Sequence, residues 1–193
     1  MLGLKLPTDP RWVNIAEKSI GEILIDHAFC EQKAATSGIT LIVKYPDYQS
    51  VVDQVTPLVT EEWAHFRRVL KELKKRDIPL GRQRRDEYVH QLLAFQKKGG
   101  SRDEQLLEIL LVNALIEARS CERFRLLSLH INDEYLKNFY HDFMVSEAGH
   151  YKMFLNLAYE YLPAEKVKKR WEEYLNHEAE IISKLEWRPD RVH

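Results

Sequence analysis

The chain is poor in the residues that staple, break or anchor a fold. Among its 193 residues there are two cysteines, Cys30 and Cys121, too few for a disulfide framework or a thiolate zinc site. Glycine and proline number seven each, and they fall mostly where a helical reading ends. No apolar run approaches the ~20 residues that a membrane-spanning helix needs. Met1 to Pro10 lacks the basic-then-apolar pattern of a secretion signal. Neither export nor membrane insertion is expected, and the expected compartment is the cytoplasm. A net charge of −1 names no partner by itself. What remains is ordinary for a globule, 45% hydrophobic and 31% charged, and one domain over residues 1–193 would bury a sizeable core without cross-links.

The punctuation of the chain predicts an all-α protein. Asp9-Pro10 reads as a cap followed by proline at the first helical position, opening a short N-terminal helix. Ser19 to Glu22 fits a capping box and starts a long helix over about 20–45. Tyr45-Pro46-Asp47 is a turn, and a second long helix follows over about 48–76, with Pro57 predicting a kink or local irregularity inside it. Residues 77–100 form a connection without strong periodicity. Ser101 to Glu104 is another capping box and opens a third long helix to about 131. After a turn at Asn132-Asp133 a fourth runs to about 161 and ends at Pro163. A last helix, about 164–186, carries Val167, Trp171, Leu175, Ile182 and Leu185 on one stripe. Long helix, tight turn, long helix, long crossover, then the same again describes a ferritin-like four-helix bundle with an extra C-terminal helix.

Each long helix places a glutamate where its neighbours mark a buried seam. The seams are Leu24, His27, Glu31, Gly38 and Leu41; Val55, Val59, Glu62, Phe66 and Val69; Leu110, Asn113, Glu117, Ser120 and Phe124; and Tyr140, Phe143, Glu147, His150 and Phe154. Burying four uncompensated carboxylates would cost more than the ~5–15 kcal/mol by which a domain is stable. No Lys or Arg occupies these seams near the acids, so metal ions are the economical counter-charge. The turns agree. Glu31 and Glu62 lie 31 residues apart about Pro46-Asp47, and Glu117 and Glu147 lie 30 apart about Asn132. Equal arms at ~1.5 Å rise per residue bring each pair to one height. His65 and His150 follow their glutamates by three residues, on the same face.

Glu31, Glu62, His65, Glu117, Glu147 and His150 therefore form the expected ligand set of a two-metal site. This is the donor pattern of carboxylate-bridged di-iron and di-manganese bundles, and iron is preferred because it activates dioxygen. Glu122 rivals Glu117, but it would stand about 7 Å from the height of Glu147. A third Glu-x-x-His, Glu87 to His90, lies in the crossover without a partner glutamate and reads as surface or packing. Cys30 and Cys121 read as small buried hydrophobes, and His27 as either a core histidine or a partner of Glu31. Between Arg67 and Arg102 there are twelve Lys/Arg against four Asp/Glu, a net of +8. Arg67, Arg68, Lys74, Lys75, Arg76, Arg82, Arg84, Arg85, Lys97 and Lys98 make up most of it, a candidate anion or nucleic-acid footprint or simply a solvated run.

The stretch Ile25 to Ala35 around Cys30-Glu31, the words Glu61-Glu62-Trp63-Ala64-His65-Phe66 and Glu117-Ala118-Arg119-Ser120-Cys121-Glu122-Arg123-Phe124, and Ser146 to Tyr151 resemble the tRNA 2-methylthio-N6-isopentenyladenosine hydroxylase family (MiaE). They span all four long helices. The resemblance implies a non-haem di-iron monooxygenase that uses O2 and a separate electron donor. Its substrate would be the isopentenyl group of the modified adenosine beside the anticodon of tRNA. It implies the same six iron ligands, with Glu117 in place of Glu122. A ferritin-like iron-oxidising store or a peroxide scavenger is the alternative, and a monomer or dimer is expected rather than a cage.

Overall fold

The computed structural model describes every residue except Met1, Trp187 and Pro189. Among the described residues it contains helices and no strand: α1 Trp12–Lys18, α2 Ile20–Lys44, α3 Gln49–Lys75, α4 Glu87–Ala94, α5 Arg102–His130, α6 Glu134–Tyr161 and α7 Ala164–Lys184. The long helices begin and end within two residues of the expected positions. Three local expectations differ. The crossover contains α4, because Asp86 caps it by accepting from the Val89 amide at 3.1 Å, and Tyr88 and Leu92, four residues apart, are buried. Ser19 makes no side-chain cap bond: the Glu22 amide bonds the Ser19 carbonyl at 2.9 Å, the Ser19 amide bonds the Ala16 carbonyl at 3.0 Å, and the Glu22 side chain pairs with Arg84. Helix α3 runs unbroken through Pro57. Pro57 and Asp53 are both exposed, so the carbonyl deprived of its amide partner can turn to water. The capping box at Ser101 and Glu104 forms in both directions.

The chain clusters into two compact units, residues 15–85 with 188–192, and residues 1–14 with 86–187 and 193. The first is the α2–α3 hairpin. Leu24, Ala28, Leu41, Val55, Val69 and Leu73 are its buried apolar positions. Gly38 sits where the two helices approach closely, for a Cβ there would lie 2.6 Å from Val59 Cγ2 and 3.3 Å from Val55 Cγ1. Near the end of the chain, Val192 donates its amide to buried Asp26 at 2.8 Å, and Arg191 stands 3.8 Å from the same carboxylate.

In the second unit α5 and α6 pair through an aromatic seam. Phe124 meets Tyr140 and Phe143 at centroid distances of 5.5 and 5.9 Å. Helix α5 is covered on more than one side. Glu108 accepts from Arg170 Nε at 2.7 Å and from Tyr174 at 2.6 Å, both on α7. Arg119, wholly buried, donates to Glu178 Oε1 at 2.8 Å, to Thr8 Oγ1 at 3.0 Å and to the Leu6 carbonyl at 3.0 Å, and pairs with Glu122. One guanidinium thus ties the N-terminal segment and α7 to α5. Burial pushes the Glu178 carboxyl up against the pull of Arg119.

Candidate metal centre

Glu31, Glu62 and His65 come together in the α2–α3 hairpin, each bringing a donor atom within 4.8 Å of the others. His65 Nδ1 lies 3.5 Å from Glu31 Oε2 and 3.6 Å from Glu62 Oε2. Glu117, Glu147 and His150 do the same in the α5–α6 hairpin, also within 4.8 Å. There His150 Nδ1 lies 4.0 Å from Glu117 Oε2 and 3.8 Å from Glu147 Oε2. The equal-arm geometry is realised in both hairpins. All four carboxylates are buried, from 1% exposed at Glu62 to 6% at Glu117.

These separations exceed a hydrogen bond. They fall within the ~4 Å that separates two donors of one ion when each metal bond is ~2.0–2.1 Å long. The donor set fits that purpose. Other buried acids sit against cations: Glu72 has Arg76 at 2.9 Å, Glu108 has Arg170 at 2.7 Å, and Glu178 has Arg119 at 2.5 Å. The four seam glutamates sit against imidazoles, which are neutral metal ligands as readily as they are cations. Hard carboxylates with borderline imidazoles suit iron or manganese. His27, wholly buried, holds Glu31 Oε1 through Nε2 at 2.6 Å, the kind of bond that orients a ligating carboxylate.

Glu122 is occupied otherwise, accepting from the Thr8 amide at 3.0 Å and the Thr8 hydroxyl at 2.7 Å beside Arg119. Glu87 and His90 are exposed on α4, 3.9 Å apart, as expected of a surface pair. Cys121 gives its thiol to the Met144 carbonyl at 3.3 Å. Burial, then the Glu147 and Glu122 carboxylates, push that thiol up to about 12, so it is inert as a nucleophile. Cys30 is half-buried. Gly149, between Glu147 and His150 in α6, is exposed, and a Cβ there would meet nothing within 4 Å. Gly149→Ala should therefore raise stability by about 0.5–1 kcal/mol, read as an increased urea midpoint at unchanged slope.

The basic residues divide by what they touch. Lys75 and Arg76 neutralise Glu72, Arg84 pairs with Glu22 and Asp190, and Lys97 pairs with Glu173 at 3.1 Å. Arg67, Arg68, Lys74, Arg82, Arg85 and Lys98 are exposed. The sequence reading passed over Lys71 and Trp63, both exposed on α3. The signal was available, since they share a helical stripe with Arg67 and Lys74. No helix among the described residues is long and apolar enough to cross a membrane.

Comparison with known proteins points to one family. The family model described as tRNA-(MS[2]IO[6]A)-hydroxylase (MiaE) matches residues 2–193. The tRNA 2-(methylsulfanyl)-N(6)-isopentenyladenosine(37) hydroxylase of Pseudomonas putida is 38% identical over 158 residues, covering 82% of this chain and 76% of that protein. The Salmonella typhimurium protein of the same name is 27% identical over 228 residues, covering 93% and 83%. Among solved structures, a Synechococcus protein with aldehyde deformylating oxygenase activity superposes with a TM-score of 0.93 at 34% identity, covering 98% of this chain and 94% of that one. The fold is ferritin-like.

Proposed function

Because the chain belongs to the tRNA-(MS[2]IO[6]A)-hydroxylase (MiaE) family, we propose that it hydroxylates the isopentenyl group of 2-methylthio-N6-isopentenyladenosine in tRNA at a di-iron centre. The observation that carries this reading is the pair of matching half-sites, each two buried glutamates and one histidine at one level of a hairpin. Glu31, Glu62 and His65 of one hairpin and Glu117, Glu147 and His150 of the other would be the ligands of the two iron ions. Four glutamate charges balance two divalent ions, which removes the cost of burying the acids.

Two bound irons would supply the reductive activation of dioxygen that puts one oxygen atom into a C–H bond of the isopentenyl tail, the other leaving as water. The residues of this chain do the rest. Leu110, Phe124, Tyr140, Phe143 and Phe154, all buried within about two turns of Glu117 or Glu147 along their helices, would keep the surroundings apolar, as an isopentenyl tail requires. His27 fixes the orientation of Glu31. Two electrons and two protons complete each turnover, so a separate electron donor is part of the proposal. So are action on the anticodon stem-loop, a cytoplasmic setting, and a small species rather than a ferritin-type cage. The exposed cations from Arg67 to Lys98 would meet RNA phosphates.

The test is direct. Iron-loaded protein, a chemical reductant and oxygen are incubated with tRNA carrying the isopentenylated nucleoside, and the digested nucleosides are weighed. A new nucleoside heavier by one oxygen, labelled when 18O2 is supplied, is the expected product. Its absence with both irons loaded and reduced would remove the proposal.

A further inference from the structure

Helix α3 turns one edge to solvent through its second half. Trp63, Arg67, Lys71 and Lys74 follow at steps of four, four and three residues, so they form a single stripe, and all are exposed. Trp63 is 49% exposed, an unusual place for so large an apolar ring. Its ring leans on buried Phe66, with centroids 5.0 Å apart and planes tilted by 43°, so it is braced.

Charge divides the helix at this ring. From Gln49 to Glu62 the charged residues are Asp53, Glu61 and Glu62, whereas Arg67, Arg68, Lys71, Lys74, Lys75 and Arg76 follow it with Glu72 as the one acid among them. Lys75 and Arg76 are the two that neutralise Glu72. Among the described residues, Arg67, Lys71 and Lys74 enter no ion pair, and these are the three on the stripe of Trp63. Because Trp63 follows Glu62 directly, its Cα stands about 1.5 Å along the axis from that of a donor residue and ~100° around the helix.

A braced, half-exposed indole running into uncommitted cations matches a single-stranded nucleic acid. Bases stack on aromatic faces without regard to sequence, and the backbone follows positive charge. A protein partner would favour an apolar patch that continues beyond the ring, but Thr56 and Thr60 continue the stripe on its other side. We infer that Trp63 is a stacking platform for an unpaired base of the tRNA loop, close to the modified adenosine, and that Arg67, Lys71 and Lys74 track the phosphates leading away from it. This rests on the tRNA reading above and assigns a residue and a direction to it.

The experiment measures affinity for an anticodon stem-loop RNA across a salt series, using the iron-loaded full chain and its variants Trp63→Ala, Trp63→Phe, Arg67→Ala, Lys71→Ala and Lys74→Ala. Trp63→Ala should weaken binding about 5- to 150-fold with an unchanged salt slope, and Trp63→Phe should recover much of the loss. Each cation variant should lower the slope of log K against log [salt] by about 0.7. Undiminished affinity in Trp63→Ala, with the parent still binding and hydroxylating, would overturn the platform alone. A parent that neither binds nor hydroxylates RNA would overturn the tRNA reading with it. Unchanged RNA affinity but slower reduction of the irons by an electron-donor protein would give this edge to that protein and equally overturn the inference.

Discussion

Glu62→Gln should abolish the iron-dependent gain in stability and the hydroxylase activity together, while the iron-free variant melts above its iron-free parent. Glu62 is 1% exposed, and its carboxylate lies 3.6 Å from His65. With no ion present, a buried charge at this place is a burden on the fold, and a neutral amide of the same shape relieves it. With ions present the sign reverses. A ligand that binds only the folded chain at 100 times its Kd stabilises the parent by about 2.7 kcal/mol, and the variant should gain little of this. Activity should fall by more than the ~10- to 100-fold that outer-shell changes cost in metal sites. Melting with and without Fe(II), alongside iron content per chain, checks both halves. A variant that still binds two irons with the parental stabilisation would exclude Glu62 as a ligand.

A second large effect is expected at a buried cation that pairs with none of the six donor residues. Arg119→Ala should cost about 3–5 kcal/mol, because it leaves buried carboxylates without their cation. The loss falls on Glu178, wholly buried, and on Glu122, and it also frees the Leu6 carbonyl and Thr8 hydroxyl that Arg119 holds at 3.0 Å. Against a total of about 5–15 kcal/mol such a change is severe. Replacing Arg119 by Met and Glu178 by Gln together should recover much of it, since the charge is then removed as well as its partner. Urea denaturation of the single and double variants decides the matter. A single-variant loss no larger than that of a surface ion pair, ~0–1 kcal/mol, would show that the latch contributes nothing beyond its packing.

The long helices and the half-sites were legible because two periodicities had to agree. Glu31, Glu62, Glu117 and Glu147 stood out as acids on apolar seams, and the distances from Pro46-Asp47 and Asn132 placed them in register. Setting Glu117 rather than Glu122 at the height of Glu147 needed only the rise per residue, and in the structure Glu122 pairs with Arg119 and accepts from Thr8. The latch itself could not be read. Arg119 and Glu178 are 59 residues apart, and nothing local in α5 announces that α7 will cover it. Helix α4 was missed for the opposite reason. Its cap and its Tyr88–Leu92 pair were present, but eight residues surrounded by charge make a weak periodic signal. The box at Ser19 failed because the backbone turn from α1 takes both amides, and because local spacing does not see Arg84, 62 residues away from Glu22.

Gly38 lies seven residues beyond Glu31, about two turns along the same helix. Its bare hydrogen is what admits Val59 and Val55 of the opposing helix. The bite between Glu31 and Glu62 is thus gauged partly by an atom that is missing, at a position bearing no donor. A calliper of this sort is invisible to any inventory of ligands, yet a single methyl group wedged into its pivot would open the jaws.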